Sequence, residues 1–398
     1  MSELLHQTAV LMKVGLASIR KRSLRAALTV AGAAGVVTVL VALLSIAEGY
    51  RRVVQTTAAA DSVIVLMNGA TAEVASSIGG DDVALVRQMR EVARGPAGRP
   101  LLSAEVYTTA KLPSRLPGAV LNMAVRGVEE AAYGLTGVVV TEGRRPGSGR
   151  REVLVGRLAA GRLAGAGIGE DIDIGGMPWR VVGRFSAAGG LAESELWVDA
   201  GALASALDRG GMVQVLHLRL ADGVGLRDFN RQLEDDPRLE LRAFDLGDYL
   251  AEQSRALRTF LHVLCYGVSA LMALGAAFAA LGTSYASTSA RIREIGAMKA
   301  LGFSDHAIFS ATLGESTLLT CVGGAIGALA AYLAFDGLQT STVLHSTNYN
   351  QVAFSFAVSP WILAQAALLA VAIGVAGSLY PAWNVLRLTI SQALSERR

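Results

Sequence analysis

The sequence predicts an integral membrane protein with four transmembrane α-helices, one before and three after a large extracytoplasmic α+β domain. Three observations support this fold class. Long charge-free stretches stand near both ends of the 398-residue chain. The short links between the later stretches either carry several basic residues or lack them altogether. The intervening region, residues 49–255, instead contains short apolar runs separated by Gly and Pro clusters, as in a folded domain outside the bilayer.

The overall composition is too apolar for an ordinary soluble protein. Hydrophobic residues make up 52% of the chain and charged residues 17%, whereas soluble domains average about 25% charged residues. The mean hydropathy is +0.43. The formal net charge of +3 is too small to favour a nucleic-acid partner. Cys265 and Cys321 both lie in apolar runs, so we expect no disulfide in the middle domain.

Residues 1–25 are predicted to form a cytoplasmic amphipathic helix on the membrane surface. Lys13, Arg20, Lys21 and Arg22 accompany apolar residues at roughly helical spacing. These apolar residues are Leu4, Leu5, Val10, Leu11, Val14, Leu16 and Ile19. Apolar burial and attraction to anionic membrane lipid would hold such a helix at the interface. The alternative is a plain extension of the first span.

Four stretches are long enough to cross a hydrocarbon core, which needs about 20 apolar residues in a helix. We assign them to residues 26–48, 256–285, 307–335 and 358–384. The apolar part of the last one is expected to end at the Tyr380-Pro381 step. The alternative for the first stretch is a cleaved signal peptide, but the apolar region of a signal peptide has only about 7–15 residues.

Lys and Arg in the short links predict the orientation, because cytoplasmic loops are enriched in them. The N-terminal segment, the link at residues 286–306 and the tail at residues 385–398 all carry basic residues, whereas residues 336–357 carry neither Lys nor Arg. Both termini and the link at 286–306 are therefore expected in the cytoplasm. Residues 336–357 are expected to form a short extracytoplasmic loop.

The middle domain is predicted to mix short strands with short helices, in a core split into two lobes. The predicted strands are Asp61–Met67, Leu102–Thr109, Ala119–Arg126, Glu152–Val155, Asp171–Ile174, Trp179–Phe185, Leu196–Val198 and Val213–Leu220. The predicted helices cover residues 81–94, 158–165, 200–207 and 226–234. From Leu246 a helix is expected to continue without a break into the second span, and the first span is expected to continue past Arg52.

Motifs for catalysis or nucleotide binding are absent from the sequence. It contains no G-x-x-x-x-G-K-[ST], H-E-x-x-H or G-x-S-x-G, and its five histidines are scattered. An intramembrane proton relay would need ionisable groups in the middle of a span, and the four stretches have none there. We therefore expect no enzyme activity, metal site or cofactor in this chain.

Small residues recur at a spacing of four in two of the predicted spans. Gly323 and Gly327 form one G-x-x-x-G pair, and a second stripe consists of Ala366, Ala370, Gly374 and Ser378. Small side chains let helix backbones approach closely in a membrane. Gly323, Gly327, Gly374 and Ser378 are therefore predicted to be helix-packing positions.

The cytoplasmic link at residues 286–306 is the most informative local signal. Ile292, Ile295, Met298 and Leu301 fall at helical spacing, with charged residues between them. A loop that only joins two spans does not need such an apolar stripe. The stripe therefore indicates either a helix that enters a groove of a partner or a helix that lies flat on lipid headgroups.

At this link the sequence resembles the ABC-transporter permeases of the FtsX and MacB type. The matching residues are Arg291, Glu294-Ile295-Gly296, Ala300-Leu301-Gly302 and Glu315-Ser316. Tyr380-Pro381-Ala382 and Ile390–Leu394 resemble the closing segment of the family. Leu154–Ala159, Gly169-Glu170 and Val181–Phe185 resemble the MacB-type periplasmic domain.

The resemblance implies a bacterial inner-membrane permease that works as a dimer, with a second copy or a sister permease. It also implies a separate cytoplasmic ABC ATPase subunit, which would bind ATP and Mg. The link would contact this ATPase as a coupling segment. The implied contact residues are Arg291, Arg293, Glu294, Ile295, Gly296, Met298, Lys299, Leu301 and Gly302.

Export or extraction of a lipophilic molecule, peptide or lipoprotein is the leading function that the resemblance implies. ATP hydrolysis would move the extracytoplasmic domain, with an adaptor as a further partner. The alternative is ATP-driven signalling to a cell-wall hydrolase without transport. A membrane scaffold that uses no ATPase is a third interpretation.

Overall fold

A computed structural model describes residues 6–13, 23–58, 62–95, 98–343, 351–387 and 389. The chain divides into two compact units. The helical unit comprises Met1–Glu48, Phe260–Leu338 and Phe356–Arg398. The sheet domain comprises Gly49–Thr259 and Gln339–Ser355. Of the helix predicted over residues 1–25, residues 6–13 are described and are helical, and residues 23–25 belong to the first long helix. The closing segment from Ile390 to Leu394 lies outside the described residues.

The described strands are numbered in chain order. They are β1 Val63–Met67, β2 Leu102–Pro113, β3 Val120–Val128, β4 Val139–Gly143, β5 Glu152–Gly156, β6 Asp171–Ile174, β7 Met177–Ser186, β8 Glu195–Asp199, β9 Val215–Leu218, β10 Leu241–Asp245, β11 Gln339–Val343 and β12 Gln351–Ser355.

After the helical residues 6–13, the α-helices are numbered in the same way. They are α1 Ser23–Ala58, α2 Gly80–Gln88, α3 Glu130–Thr136, α4 Arg157–Arg162, α5 Ala200–Ala206, α6 Leu226–Asp235, α7 Leu246–Ser289, α8 Ile292–Ala300, α9 Asp305–Phe335 and α10 Pro360–Arg387.

Ten strands of the sheet domain form one continuous sheet. Their order is β10-β1-β9-β2-β3-β8-β5-β7-β4, with β6 paired to β7. Strand β2 joins the two halves because it pairs with β9 through Leu102–Glu105 and with β3 through Val106–Pro113. Most pairs are antiparallel, and β3/β8 and β5/β7 are parallel. The predicted division of the core into two lobes stays a prediction, since the two ends of β2 pair in different halves of the sheet.

Several boundaries in the sheet domain differ from the prediction. Helix α2 ends at Gln88 because Met89 has extended backbone angles, and Val92 then bridges to Leu220. Strand β4 was not predicted, since four of its five residues are exposed and show no alternation. Helix α3 was also not predicted. The segment at 336–357, which was predicted as a short extracytoplasmic loop, contains the antiparallel strand pair β11/β12, in which Gln339 pairs with Ser355.

Four helices are long and apolar enough to cross a membrane, which confirms the predicted arrangement of one span before and three after the middle domain. They are Ala26–Thr57, Arg258–Ser289, Asp305–Phe335 and Pro360–Arg387. The helix that was predicted to run from Leu246 into the second span is also confirmed, as α7 has 44 residues. Helix α10 continues beyond the Tyr380-Pro381 step, where the apolar part was predicted to end, through Pro381 to Arg387. Proline in a helix removes one backbone hydrogen bond, but helices that pack closely around it can accommodate the loss.

Candidate functional site

The link between α7 and α9 folds into the short helix α8. Its C-terminal end is a Schellman motif, in which the Gly302 N–H donates to the Lys299 carbonyl at 3.1 Å and the Phe303 N–H donates to the Met298 carbonyl at 3.2 Å. Gly302 has a φ of +92°, which favours glycine because it has no Cβ. Helix α9 begins immediately afterwards, with Ser304 Oγ accepting from the Ala307 N–H. The Ala-Leu-Gly pattern of the sequence is thus the end of a helix.

The apolar stripe of α8 packs inside the helical unit. Ile295 is buried in a cluster with Leu11, Ala307, Ile308 and other apolar residues. Met298 and Phe303 pack against the same cluster, and Gly296 is buried as well. Two of the four stripe residues, Ile295 and Met298, thus belong to the unit's own core, whereas Leu301 is 78% exposed. Contact of the stripe with a partner or with lipid stays a prediction, and Leu301 is its accessible member.

Arg291 connects the beginning of α8 to helix α9. Its Nη1 donates to Glu315 Oε2 at 3.0 Å, and its Nε donates to Glu294 Oε2 at 3.0 Å. The Arg291 side chain is only 12% exposed. An ion pair that is largely removed from water and hydrogen-bonded in this way orients both partners strongly. Arg291 therefore positions α8 relative to α9.

Lys299 makes the corresponding connection at the other end of α8. Its Nζ donates to the Val385 carbonyl in the last turn of α10 at 2.9 Å and lies 2.9 Å from Asp305 Oδ1. Its side chain is 7% exposed. A cation at the C-terminal end of α10 is also favoured by the helix dipole. Lys299 therefore holds α8 to α10, while its ammonium group faces away from solvent.

The remaining predicted contact residues are accessible. Arg293 and Gly302 are exposed, the Glu294 side chain is 59% exposed and Leu301 is 78% exposed. The nine predicted residues thus divide into an accessible set, Arg293, Glu294, Leu301 and Gly302, and an internal set, Arg291, Ile295, Gly296, Met298 and Lys299. We call the accessible set the exposed face of α8.

The glycines that were predicted to pack helices lie at close helix contacts within the helical unit. A Cβ on Gly323 would overlap the Val30 carbonyl, and a Cβ on Gly327 would overlap the Ala34 carbonyl, both in α1. A Cβ on Gly374 would lie 2.7 Å from Thr317 Cα of α9. Ser378 is buried and donates to the Gly374 carbonyl at 2.6 Å within α10. Helix α9 therefore packs directly against the backbone of α1.

The sheet domain contains a group of buried charges that sequence reasoning missed. The Arg126 guanidinium donates to three carboxylates: to Glu73 at 2.8 Å, to Glu105 at 2.9 Å and to both oxygens of Glu195 at 2.9 and 3.1 Å. The three glutamate side chains are between 2% and 12% exposed. We call these four residues the Arg126 cluster.

The Arg126 cluster lines a cavity of about 140 Å³ within the sheet domain. Tyr107, Trp197, Tyr249 and His217 also line it. Burial raises the pKa of Glu73, with Arg126 opposing the shift. Burial acts in the same direction on Glu105, but the neighbouring His217 and Arg126 outweigh it and lower the pKa of that carboxyl. Although burial opposes it, the three carboxylates raise the pKa of Arg126, so its guanidinium stays charged.

The sequence does contain one indication of this cluster, since Glu105 and Arg126 are charged residues within predicted apolar strands. Glu105 stands between Ala104 and Val106, and Arg126 follows Val125. A charged residue inside an apolar strand usually has a buried partner. The partners themselves could not be assigned, because Glu73 and Glu195 lie 53 and 69 residues away from Arg126 along the chain.

Two family models match the sequence. The model described as "FtsX-like permease C-terminal" matches residues 266–390, and the model described as "MacB-like periplasmic core domain" matches residues 26–236. The first match includes the whole of α8 with both of its connections. The second includes Glu73, Glu105, Arg126 and Glu195 of the cavity.

Similar proteins are found among curated sequences. Macrolide export ATP-binding/permease protein MacB 1/2 of Paracoccus denitrificans (strain Pd 1222) is 24% identical over an alignment 418 residues long. The alignment covers 98% of this chain and 59% of that protein. The uncharacterized ABC transporter permease YvrN of Bacillus subtilis (strain 168) is 25% identical over 232 residues, which cover 52% of this chain and 56% of that protein. The chain thus spans little more than half the length of these relatives.

Two solved structures are also similar. The periplasmic region of MacB from Actinobacillus actinomycetemcomitans has a TM-score of 0.37 and 10% identity, and the match covers 49% of this chain and 92% of that one. The extracellular domain of the noncanonic ABC-type transporter YknZ from Gram-positive bacteria has a TM-score of 0.35 and 15% identity, and the match covers 46% of this chain and 99% of that one.

Proposed function

The chain belongs to the FtsX/MacB-type permease family, and on that premise we propose that it couples ATP hydrolysis by a cytoplasmic ABC ATPase subunit to movement of its sheet domain. Its four candidate spans and its family point to a bacterial inner-membrane protein. This movement drives export or extraction of a lipophilic molecule, peptide or lipoprotein. The permease acts as a dimer with its termini and α8 in the cytoplasm.

The connections of α8 are the observation that carries this proposal. Arg291 ties the start of the helix to Glu315 of α9, and Lys299 ties its end to Val385 of α10. A displacement of α8 by an ATPase would therefore be passed to two candidate spans. Helices α1 and α7 each continue without interruption from residues of the helical unit into residues of the sheet domain. Continuous helices are stiff, which supports transmission of the displacement to the sheet domain.

The exposed face of α8 is the proposed ATPase contact. Leu301 is a large apolar side chain at an accessible turn, and a partner that covers it would remove this apolar surface from water, which is favourable. Arg293 and Glu294 add charges of opposite sign beside it. Arg291 and Lys299 are assigned a positioning role, since their charged groups already hold α9 and α10.

We expect the substitution L301D together with R293E to weaken ATPase binding at least tenfold. A new carboxylate in place of the apolar anchor must be desolvated in the interface, and a tenfold loss corresponds to about 1.4 kcal/mol. Co-purification and equilibrium titration of an ATPase co-expressed from the neighbouring genes measure this. The matched control is L116D, because Leu116 is 71% exposed and lies in the sheet domain. Unchanged binding of the double variant would exclude α8 as the contact.

Cysteines at Asp81 and at Ala300 are expected to react from opposite sides of the membrane. Both positions are exposed, and Cys265 and Cys321 are first replaced by serine. In intact cells a membrane-impermeant maleimide should label position 81 only, and position 300 should become reactive only after lysis. Labelling of position 300 in intact cells would refute the orientation on which the ATPase contact depends.

A further inference from the structure

The cavity of the sheet domain has an excess of acidic over basic groups. Arg126 is its one guanidinium among the described lining residues, and it faces the carboxyl groups of Glu73, Glu105 and Glu195. Apart from His217, which helps to lower the pKa of Glu105, three carboxyl groups share this one guanidinium. Even a proton on Glu73, whose pKa is raised by burial, leaves two carboxyl groups for one guanidinium. Buried charges are normally paired, so this arrangement has room for one more cation.

One carboxylate oxygen in the cavity has no hydrogen-bond partner. Glu105 Oε2 accepts from Arg126, but Oε1 is buried and accepts no hydrogen bond from any described residue. Nδ1 of His217 lies 3.7 Å from Oε1, which is longer than a hydrogen bond, although His217 is close enough to lower the pKa of Glu105. The Glu105 side chain is 2% exposed. A buried polar atom without a partner in a native fold is uncommon and calls for an explanation, such as a ligand.

The other walls of the cavity suit an organic cation better than a metal ion. Tyr107, Trp197 and Tyr249 contribute aromatic rings, and Leu246 and Leu250 contribute apolar surface. The faces of aromatic rings attract ammonium groups. Among the described residues, no group of three or more His, Cys, Asp or Glu has the geometry of a metal site.

We propose that this cavity binds a protonated amine, with Glu105 Oε1 accepting a hydrogen bond from the ammonium group and the aromatic and apolar walls surrounding its carbon atoms. A dry cavity of about 150 Å³ can hold a molecule of the size of benzene. The volume here is about 140 Å³, so the ligand is a small amine or the amine-bearing end of a larger molecule. This site does not depend on the ATPase. Only the identification of the amine with the exported molecule rests on the proposed function.

The test uses the purified full chain in lipid nanodiscs and two probes of the same size, one charged and one uncharged. Butylamine hydrochloride and 1-butanol differ mainly in the positive charge and are titrated separately by calorimetry. The buffer is at pH 8, where butylamine is protonated and histidine is ordinarily neutral. We expect saturable binding of butylamine and at least tenfold weaker binding of 1-butanol. Equal binding of the two probes would overturn the proposal.

A charge-removing substitution gives the second arm of the test. E105Q keeps the size of the side chain, and we expect it to weaken butylamine binding at least tenfold. The matched control is E142Q, because Glu142 lies in β4, its side chain is 56% exposed and it does not line the cavity. E142Q should bind butylamine as the unmodified chain does. If E105Q binds butylamine normally, the assignment of Glu105 is wrong.

A third arm separates an amine from an inorganic cation. Titrations with NaCl, KCl and MgCl2 at matched ionic strength should neither produce binding heat nor displace butylamine. Displacement by one of these salts would reassign the cavity to a metal ion. If E105Q does not fold, the comparison of butylamine with 1-butanol on the unmodified chain still decides the proposal. None of these measurements requires ATP, so their outcome is independent of the ATPase-binding result.

Discussion

Replacing Arg126 with methionine is expected to lower the free energy of unfolding of the sheet domain by about 3–5 kcal/mol, the usual cost of removing one partner of a buried ion pair. The guanidinium donates to Glu73, Glu105 and Glu195 at 2.8–3.1 Å. Without it, three buried carboxyl groups would repel one another or have to take up protons. Thermal or urea unfolding of the full chain, followed by tryptophan fluorescence, measures the change because Trp197 donates to Glu195 at 2.9 Å.

Two comparisons make this prediction specific. R180M removes a similar cation from the surface, where Arg180 is 57% exposed and pairs with Asp171, and should change stability far less because exposed ion pairs contribute little. Adding E73Q to R126M removes one of the repelling carboxyl groups and should restore part of the loss. If R126M is as stable as R180M, the carboxyl groups do not need Arg126 to remain buried.

Placing a side chain at Gly327 is expected to separate α1 from α9. A Cβ at this position would overlap the Ala34 carbonyl and lie 2.9 Å from Ala34 Cα. The backbone cannot yield as a flexible side chain does, so we expect G327A to destabilise the helical unit by about 1–3 kcal/mol, the typical cost of overpacking. A larger loss is expected for G327L. Unfolding in mixed micelles with an increasing fraction of dodecyl sulfate, followed by circular dichroism, measures the effect.

Gly32 provides the matched control in helix α1. A Cβ built on Gly32 would meet no atom within 4 Å, so G32A should leave stability unchanged or raise it slightly, since alanine favours helix more than glycine. Equal effects of G32A and G327A would show that helix propensity, and not the close approach to Ala34, determines the result.

The membrane part of the fold could be predicted because a single physical requirement, a charge-free stretch of sufficient length, determines it. The four spans and their arrangement followed from that requirement. Their ends did not, since Pro381 would normally interrupt a helix and yet lies inside α10. The hairpin of β11 and β12 was missed because Gln339–Val343 is mostly polar and lacks the alternation of a half-buried strand.

The candidate site was predictable only where its residues are neighbours in sequence. The link around Glu294-Ile295-Gly296 could be recognised as a short motif. Its inward orientation could not, because Lys299 contacts Val385, which is 86 residues away. The Arg126 cluster depends on the pairing of β3 with β2 and with β8. Strand order in such a sheet is not encoded in local periodicity.

Helix α8 is fastened at both ends to different neighbours, by Arg291 to α9 and by Lys299 to the final turn of α10. A short helix that is held at both ends cannot rotate about either contact. A force applied to the middle of α8 would therefore displace α9 and α10 together, and loss of one contact would turn this joint displacement into a rotation of α8 about the other contact. A permease with one contact removed would then be expected to bind its ATPase normally while transmitting little of the movement.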